Sequence, residues 1–492
     1  MSAEAGSADI AALARGGRTN FIGFLLRLLA RVPFLFIAGR LYGPDALGRF
    51  AFALVIIELA GLFATLGLKR GLAQRLSMDD REPASCVADA VAMSLLFSAV
   101  LTVALFLFPQ PLFPSGVAYP PDLLLPLAIA PLAITDLALA ALAYRYNVKT
   151  TVYARAVVEP WTLSIAAAAL WFAVPDGGMS LAYILSNYAA MIAALVPLLK
   201  SYGLPRGWTP RLRELGPLVR TNLPLAVADV MEWGSRRLDI AILGLFASPA
   251  AVGVYWAAQQ VASLPQKLKT SFEPILGPVI TRNLKEGNLA AIARQVCQVG
   301  FWITAAQAGI ALALGIPGEG VMGLVGPAFV GGTGALAFLL AAEVVAATAV
   351  VSEAALVYVA RMRNLMISAV AIALQAILTV GGIMLVRKLG LGELYNAAAA
   401  AAALMLSLGF ASLAKARLLS GILGERINNW RWSLVWAAAP AVVLGWVATR
   451  YMPEWAELAF GIPAILSVYM AMIWRYGFGP EDRVLFRKST LK

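Results

Sequence analysis

The sequence predicts an all-α polytopic membrane protein. We expect about 14 transmembrane helices: two parallel six-helix repeats around a central cavity, followed by two C-terminal helices. Three observations carry this reading. Apolar stretches of about 20 residues recur from end to end, the length that crosses a hydrocarbon core. Basic residues gather at alternate ends of those stretches. The opening of the first stretch returns at the seventh.

Composition fixes the class. Of 492 residues, 61% are hydrophobic and 13% charged, with a mean hydropathy of +0.79. A soluble domain carries about 25% charged residues. Backbone in hydrocarbon must satisfy its own hydrogen bonds, and the apolar runs lack the two-residue alternation of a barrel strand, so they are helices. The net charge of +12 reports topology rather than a nucleic-acid partner, because Lys and Arg collect in cytoplasmic loops. Two cysteines, Cys86 and Cys297, cannot form a disulfide framework and read as packing residues near helix ends. Without histidine or a cysteine cluster, no metal site and no cofactor are expected. Residues 1–17 are small and polar and do not resemble a secretory signal.

Taken in order, the spans fall near 18–41, 45–68, 85–108, 122–145, 157–174, 180–199, 221–246, 250–272, 293–315, 333–358, 364–386, 393–414, 433–450 and 457–475. The first two are separated by Tyr42, Gly43 and Pro44, and the second ends at Lys69 and Arg70. The Pro- and Gly-rich segment 109–121 divides the third from the fourth; 316–332 does the same for the ninth and tenth. The fifth and last spans are the shortest. Basic residues test the orientation: with the N-terminus inside, cytoplasmic segments hold 30 of the 39 and outer segments only 5, with 4 inside spans. Both termini therefore belong in the cytoplasm of a bacterial inner-membrane protein. The basic stretch 267–294 reads as a solvated loop, and no loop is long enough for a sizeable soluble domain. Trp430, Trp432, Trp446, Tyr451, Trp455, Trp474 and Tyr476 mark the ends of the last two spans, where interfacial aromatics anchor helices.

Spans one and seven open alike, with Arg18-Thr19-Asn20-Phe21 and Arg220-Thr221-Asn222-Leu223. The following connections match too, Pro44-Asp45-Ala46-Leu47-Gly48-Arg49-Phe50 against Pro249-Ala250-Ala251-Val252-Gly253-Val254-Tyr255. Both spans start inside, so the repeat is parallel, and such halves face each other across a cavity. The domains that follow are a six-helix lobe over 1–214, a second over 215–415, and two further helices with a cytoplasmic tail over 416–492.

The segment from Tyr42 to Phe50 resembles the first outer loop of polysaccharide-biosynthesis membrane proteins. Gly253-Val254-Tyr255, beside a span carrying Arg236, Arg237, Leu238 and Asp239, looks like its second-half counterpart. The resemblance is to the MOP exporter superfamily, which includes oligosaccharide flippases, the peptidoglycan-lipid flippase and multidrug exporters. It implies a flippase moving a lipid-linked oligosaccharide outward for cell-surface polysaccharide assembly. The implied partners are the bilayer, that lipid and other polysaccharide-assembly membrane proteins. A multidrug or cation exporter and a membrane enzyme acting on lipid-linked glycans are the competing readings.

Charges inside the spans are the candidate site, because a charge at the bilayer midplane costs about 2.5–3.5 kcal/mol on insertion scales. Arg27 and Arg31 lie in span one, and Asp229, Glu232, Arg236, Arg237 and Asp239 in span seven. On a helical wheel Asp229, Glu232, Arg236 and Asp239 share an arc of about 80°, with Arg237 to one side. Every basic residue placed inside a span is Arg, whose planar guanidinium binds phosphate bidentately and keeps its proton. We therefore assign Arg27, Arg31, Arg236 and Arg237 to an anionic head group. Glu58, Asp136, Asp229, Glu232, Asp239, Glu343 and Glu353 either pair with cations or bind a coupling proton or sodium ion.

Overall fold

The computed structural model describes residues 32–78, 82–147, 149–205, 208, 215–270 and 273–483. The side chains of residues 264–276 and of several positions in 211–236, Glu232 and Arg236 among them, lie outside that description, as do Arg27 and Arg31. Among the described residues every regular element is helical. The first four are α1 (32–42), α2 (Gly43–Thr65), α3 (Leu68–Met78) and α4 (Pro83–Leu107). They are followed by α5 (Asp122–Tyr144), α6 (Lys149–Ala173), α7 (Gly178–Tyr202) and α8 (Leu215–Phe246). Next come α9 (Pro249–Thr270), α10 (Glu273–Lys285), α11 (Leu289–Gly315), α12 (Gly318–Val325) and α13 (Pro327–Val359). The last four are α14 (Arg361–Lys388), α15 (Leu394–Leu423), α16 (Ser433–Tyr451) and α17 (Glu454–Gly477).

Among the described residues, eleven helical stretches are long and apolar enough to cross a membrane, which makes this a multi-pass membrane protein. α8 and α9 fall outside that set for a physical reason. α8 holds Arg220, Asp229, Glu232, Arg236, Arg237 and Asp239, and α9 turns polar at Gln259 and Gln260. The stretch expected as a loop over 267–294 instead contains α10. Pro274 sits in its first turn, where a missing N–H costs nothing, and Val279 and Ile280 are buried while Thr281 and Arg282 are exposed.

The described residues fall into two compact units, one up to Gly253 and one from Val254 onward. The division falls inside α9, so the first unit keeps α8, the helix that opens the second sequence repeat.

Small residues set the packing of the first unit, as they do wherever helices approach in lipid. A Cβ on Gly244 of α8 would lie 1.9 Å from the Phe52 ring of α2, and one on Gly71 of α3 would lie 2.0 Å from the Asn222 amide oxygen of α8. The matched connections also meet. A Cβ on Gly48 would fall 1.7 Å from the Pro249 carbonyl oxygen, and one on Gly253 2.0 Å from that of Pro44. Positions equivalent in the repeat thus pack on one another reciprocally. Leu66 and Gly67, both left-handed (φ 48° and 72°), reverse the chain between α2 and α3. Leu68, Leu72, Cys86, Met93, Leu137 and Leu142 form the core beneath that turn.

In the second unit the appended pair α16 and α17 packs on α11. Leu434, Ala441, Ile465, Tyr469 and Ile473 share one core with Val299, Phe301 and Ile303. Gly309 of α11 makes room for the Tyr469 ring, which a Cβ would approach to 2.9 Å. The connection after α15 is tied to α11 and α13 by Asn429. Its amide nitrogen donates to Thr304 Oγ1 (2.9 Å), and its amide oxygen accepts from Thr348 Oγ1 (2.6 Å). Asp482, beyond α17, accepts from Trp302 Nε1 (2.9 Å), the Gly479 N–H (2.9 Å) and Arg431 Nη1 (2.7 Å). Arg431 lies over the Phe301 ring at 3.8 Å. The seven aromatics expected as anchors are all exposed.

Candidate functional site

Among the described residues of the first unit, the embedded candidate charges and their partners lie on α2, α3, α5, α6 and α8. The turn at Leu66 and Gly67 delivers two adjacent cations, Lys69 and Arg70, onto α3. Neighbours on a helix point about 100° apart, so the two can serve different partners. Lys69 Nζ reaches Asp136 of α5 at 3.0 Å, and Arg70 Nε reaches Asp229 of α8 at 2.5 Å. Asp136 takes a second cation, Arg155 of α6, whose Nη2 lies 2.5 Å from Oδ1. Arg155 in turn holds Glu159, one helical turn on, at 2.8 Å. It stands in a π-helical segment, Tyr153–Val158, of the kind that re-aims side chains at functional sites. Lys69, Asp136, Arg155 and Glu159 therefore form an alternating chain of zero net charge.

Glu58 of α2 and Arg237 of α8 make a separate pair. Arg237 donates from Nε to Oε2 and from Nη2 to Oε1, each at 2.9 Å, the two-pronged geometry that a planar guanidinium gives a carboxylate. About a quarter of each side chain stays exposed, 28% for Arg237 and 26% for Glu58. Tyr183 of α7 lies within electrostatic reach of Glu58, Glu159 and Arg155, and Asp239 within reach of Arg237. Asp239 itself is buried, and one of its oxygens accepts the Ile240 N–H at 2.8 Å.

In the second unit Glu353 of α13 meets Lys415 of α15 at 2.8 Å. Lys415 is only 5% exposed. The expectation that embedded cations are all Arg is thus corrected: α15 runs on to Leu423, past the expected span end at 414, and carries Lys415 inside. Glu343 is buried in α13.

The sequence candidates separate cleanly. Glu58, Asp136, Asp229 and Glu353 all stand in ion pairs, and Arg237 is brought to Glu58. The wheel set Arg237 aside from the charged stripe, yet among the described side chains it is the α8 cation that reaches α2. Arg27, Arg31 and the side chains of Glu232 and Arg236 fall outside the described residues. Sequence reasoning overlooked Arg155 because the fifth span was started at 157 and α6 begins at Lys149; Glu159, inside that span, was passed over. The acid and base four residues apart were the signal that could have found them.

A sequence model of the polysaccharide biosynthesis protein family matches residues 37–304, more than half of the chain. No curated protein sequence matches. Among solved structures, the lipid II flippase MurJ in an inward closed conformation is similar at a TM-score of 0.72 and 10% identity. The match covers 95% of this chain and 100% of that one. An inward-facing multidrug resistance MATE transporter of the MOP superfamily is similar at a TM-score of 0.59 and 16% identity, covering 84% and 94% of the two chains. An outward-facing MATE transporter of that superfamily gives 0.51 and 15% identity over 85% and 96%. At these identities the likeness is one of fold, that of polytopic transporters.

Proposed function

From the premise that the chain belongs to the polysaccharide biosynthesis protein family, we propose that it is a flippase for an isoprenyl-pyrophosphate oligosaccharide. It moves that lipid from the cytoplasmic to the periplasmic leaflet of the bacterial inner membrane by alternating access, for cell-surface polysaccharide biosynthesis. A glycan and its pyrophosphate cannot cross hydrocarbon bare, because unpaired charges and hydroxyls cost several kcal/mol each to bury (roughly, on transfer scales). The carrier must supply partners, while the isoprenoid tail stays in lipid.

The observation that carries this reading is Arg237, a guanidinium on a charged helix of a membrane protein with part of its surface open. Arg27, Arg31 and Arg236 complete the proposed docking set. The excess of basic residues, 30 against 5, supports cytoplasmic termini. A cation exporter would need unneutralised carboxylates, and four of the embedded ones are in ion pairs. A coupling proton or sodium ion would have to displace a resident cation to bind at any of those four.

Proteoliposomes carrying a labelled isoprenyl-pyrophosphate oligosaccharide test the proposal, with access of an impermeant glycosidase as the readout. Protein-dependent exposure of the glycan, reduced at least tenfold in Arg237→Gln, is the expected result. Uptake of a cationic dye under an ion gradient, without glycan movement, would sink it.

A further inference from the structure

We propose that Glu58 is the resident counter-ion of the head-group site, occupying Arg237 when no substrate is bound and yielding it to the pyrophosphate. This rests on the assignment of Arg237 to that site. The geometry argues for exchange. Glu58 takes the Nε and Nη2 edge of the guanidinium with two bonds of 2.9 Å, the same two-pronged contact a phosphate makes. Two anions on one guanidinium repel, so the arriving pyrophosphate and Glu58 compete for it.

The surroundings explain why a placeholder is needed. An uncompensated guanidinium at membrane depth is costly, and a carrier that has released its substrate must still return through the membrane. With Glu58 in place the Arg237 charge is paired while the site is empty. The exposure of both side chains matters as well. About a quarter of each side chain is open, and charged groups at membrane depth stand against protein or a water-filled cavity, so the open edge is where an anion would arrive. The Arg70–Asp229 pair ties α3 to the same helix; its arginine is 45% exposed but its carboxylate only 7%, so Asp229 has less room than Glu58 to turn away. Of the other charged groups nearby, Arg155 and Glu159 hold each other, and Asp239, which acts on Arg237 from further along α8, accepts the Ile240 N–H.

Glu58 on this account sets affinity and turnover in opposite directions. Removing its charge leaves the arginine to the substrate alone, so binding tightens while release and the empty return slow. The repulsion between two anions a few ångströms apart in a partly wet site corresponds to about a tenfold change in affinity.

The test is binding of farnesyl pyrophosphate at fixed neutral pH to the full-length protein in nanodiscs, together with the liposome flipping assay. Glu58→Gln, which keeps shape and hydrogen bonding, is compared with Arg237→Gln and with Asp229→Asn as a charge control. Thermal midpoints confirm that each variant is folded. We expect Glu58→Gln to bind about tenfold more tightly and flip several-fold more slowly, Arg237→Gln to bind weakly, and Asp229→Asn to leave affinity within about twofold. Unchanged or weaker binding by Glu58→Gln, with Arg237→Gln still defective, overturns the counter-ion role and leaves the flippase reading intact. Equal tightening in Asp229→Asn overturns it too, because a diffuse charge effect would then suffice. Binding by the native protein that Arg237→Gln does not weaken removes the arginine site itself.

Discussion

Replacing Gly48 by alanine should force α2 and the start of α9 apart and lower the stability of the first unit. The added Cβ would sit 1.7 Å from the Pro249 carbonyl oxygen, 2.6 Å from its carbon and 2.8 Å from the Gly253 nitrogen. All three are backbone atoms, so no rotamer change relieves the clash. Restoring ordinary contact requires a movement on the order of 1.5 Å. Overpacking of this kind costs about 1–3 kcal/mol, and the better helix propensity of alanine returns at most about 1 kcal/mol. A net loss of about 1–2 kcal/mol is expected. The reciprocal change, Gly253→Ala, meets the Pro44 carbonyl oxygen at 2.0 Å and should behave alike. Because either substitution already parts the same two segments, the double variant should cost clearly less than the sum. The assay is the thermal midpoint in detergent, followed by tryptophan fluorescence. A Gly48→Ala protein with a native midpoint, or a double variant that is fully additive, would refute the reasoning.

Two further outcomes follow from the second unit. Glu353→Gln should destabilise more than Lys415→Met, because it strands an ammonium that is 5% exposed, whereas Glu353 is 45% exposed and can turn to solvent. Breaking a buried pair costs about 3–5 kcal/mol; we expect about half of that for Glu353→Gln after discounting the open side. Equal midpoints for the two variants would contradict this. Asp482 gives a pH signature. Burial pushes its carboxyl up, but hydrogen bonds from Arg431, the Gly479 N–H and Trp302 outweigh that and hold it below the usual carboxylate value. Its stabilisation is therefore complete above the unfolded value of about 3.9 and is lost as pH falls through the lower folded value. The midpoint difference between native protein and Asp482→Asn should be constant from about pH 7 to pH 5 and close below about pH 3.5. A gap that persists in acid would show that the carboxylate charge is not what holds the tail.

Much of the fold was legible in the sequence, because hydrocarbon allows a chain so few solutions. Apolar length and breaks at Gly and Pro placed the ends of the long helices within a few residues, apart from the start of α13 and the basic ends of α6, α7, α8, α11 and α15; the short α3, α10 and α12 fell in segments read as connections. At the basic ends Lys and Arg begin, and hydropathy falls before the helix stops. Arg155 and Lys415 were misplaced for that reason. The repeat was readable at Gly48 and Gly253, but not that these glycines touch, since contact between distant segments leaves no local trace. Embedded charge marked Glu58 and Arg237 as special without joining them. The wheel for α8 treated one helix alone, and the partner on α2 decides which of its faces matters. The amphipathic pattern of α10 was masked by its basic residues.

α8 also bears on how the protein is made. Five charged residues fall between Asp229 and Asp239, and each costs about 2.5–3.5 kcal/mol at the middle of a lone helix leaving the translocon. Such a segment has no reason to enter lipid by itself. Its partners, Glu58 of α2 and Arg70 of α3, precede it in the chain, Glu58 by 179 residues from Arg237, and are synthesised first. The amino-terminal helices thus act as an insertion template, neutralising α8 as it arrives and giving it a polar track into the bilayer. A substitution at Glu58 is then also expected to lower the fraction of chains whose α8 is integrated.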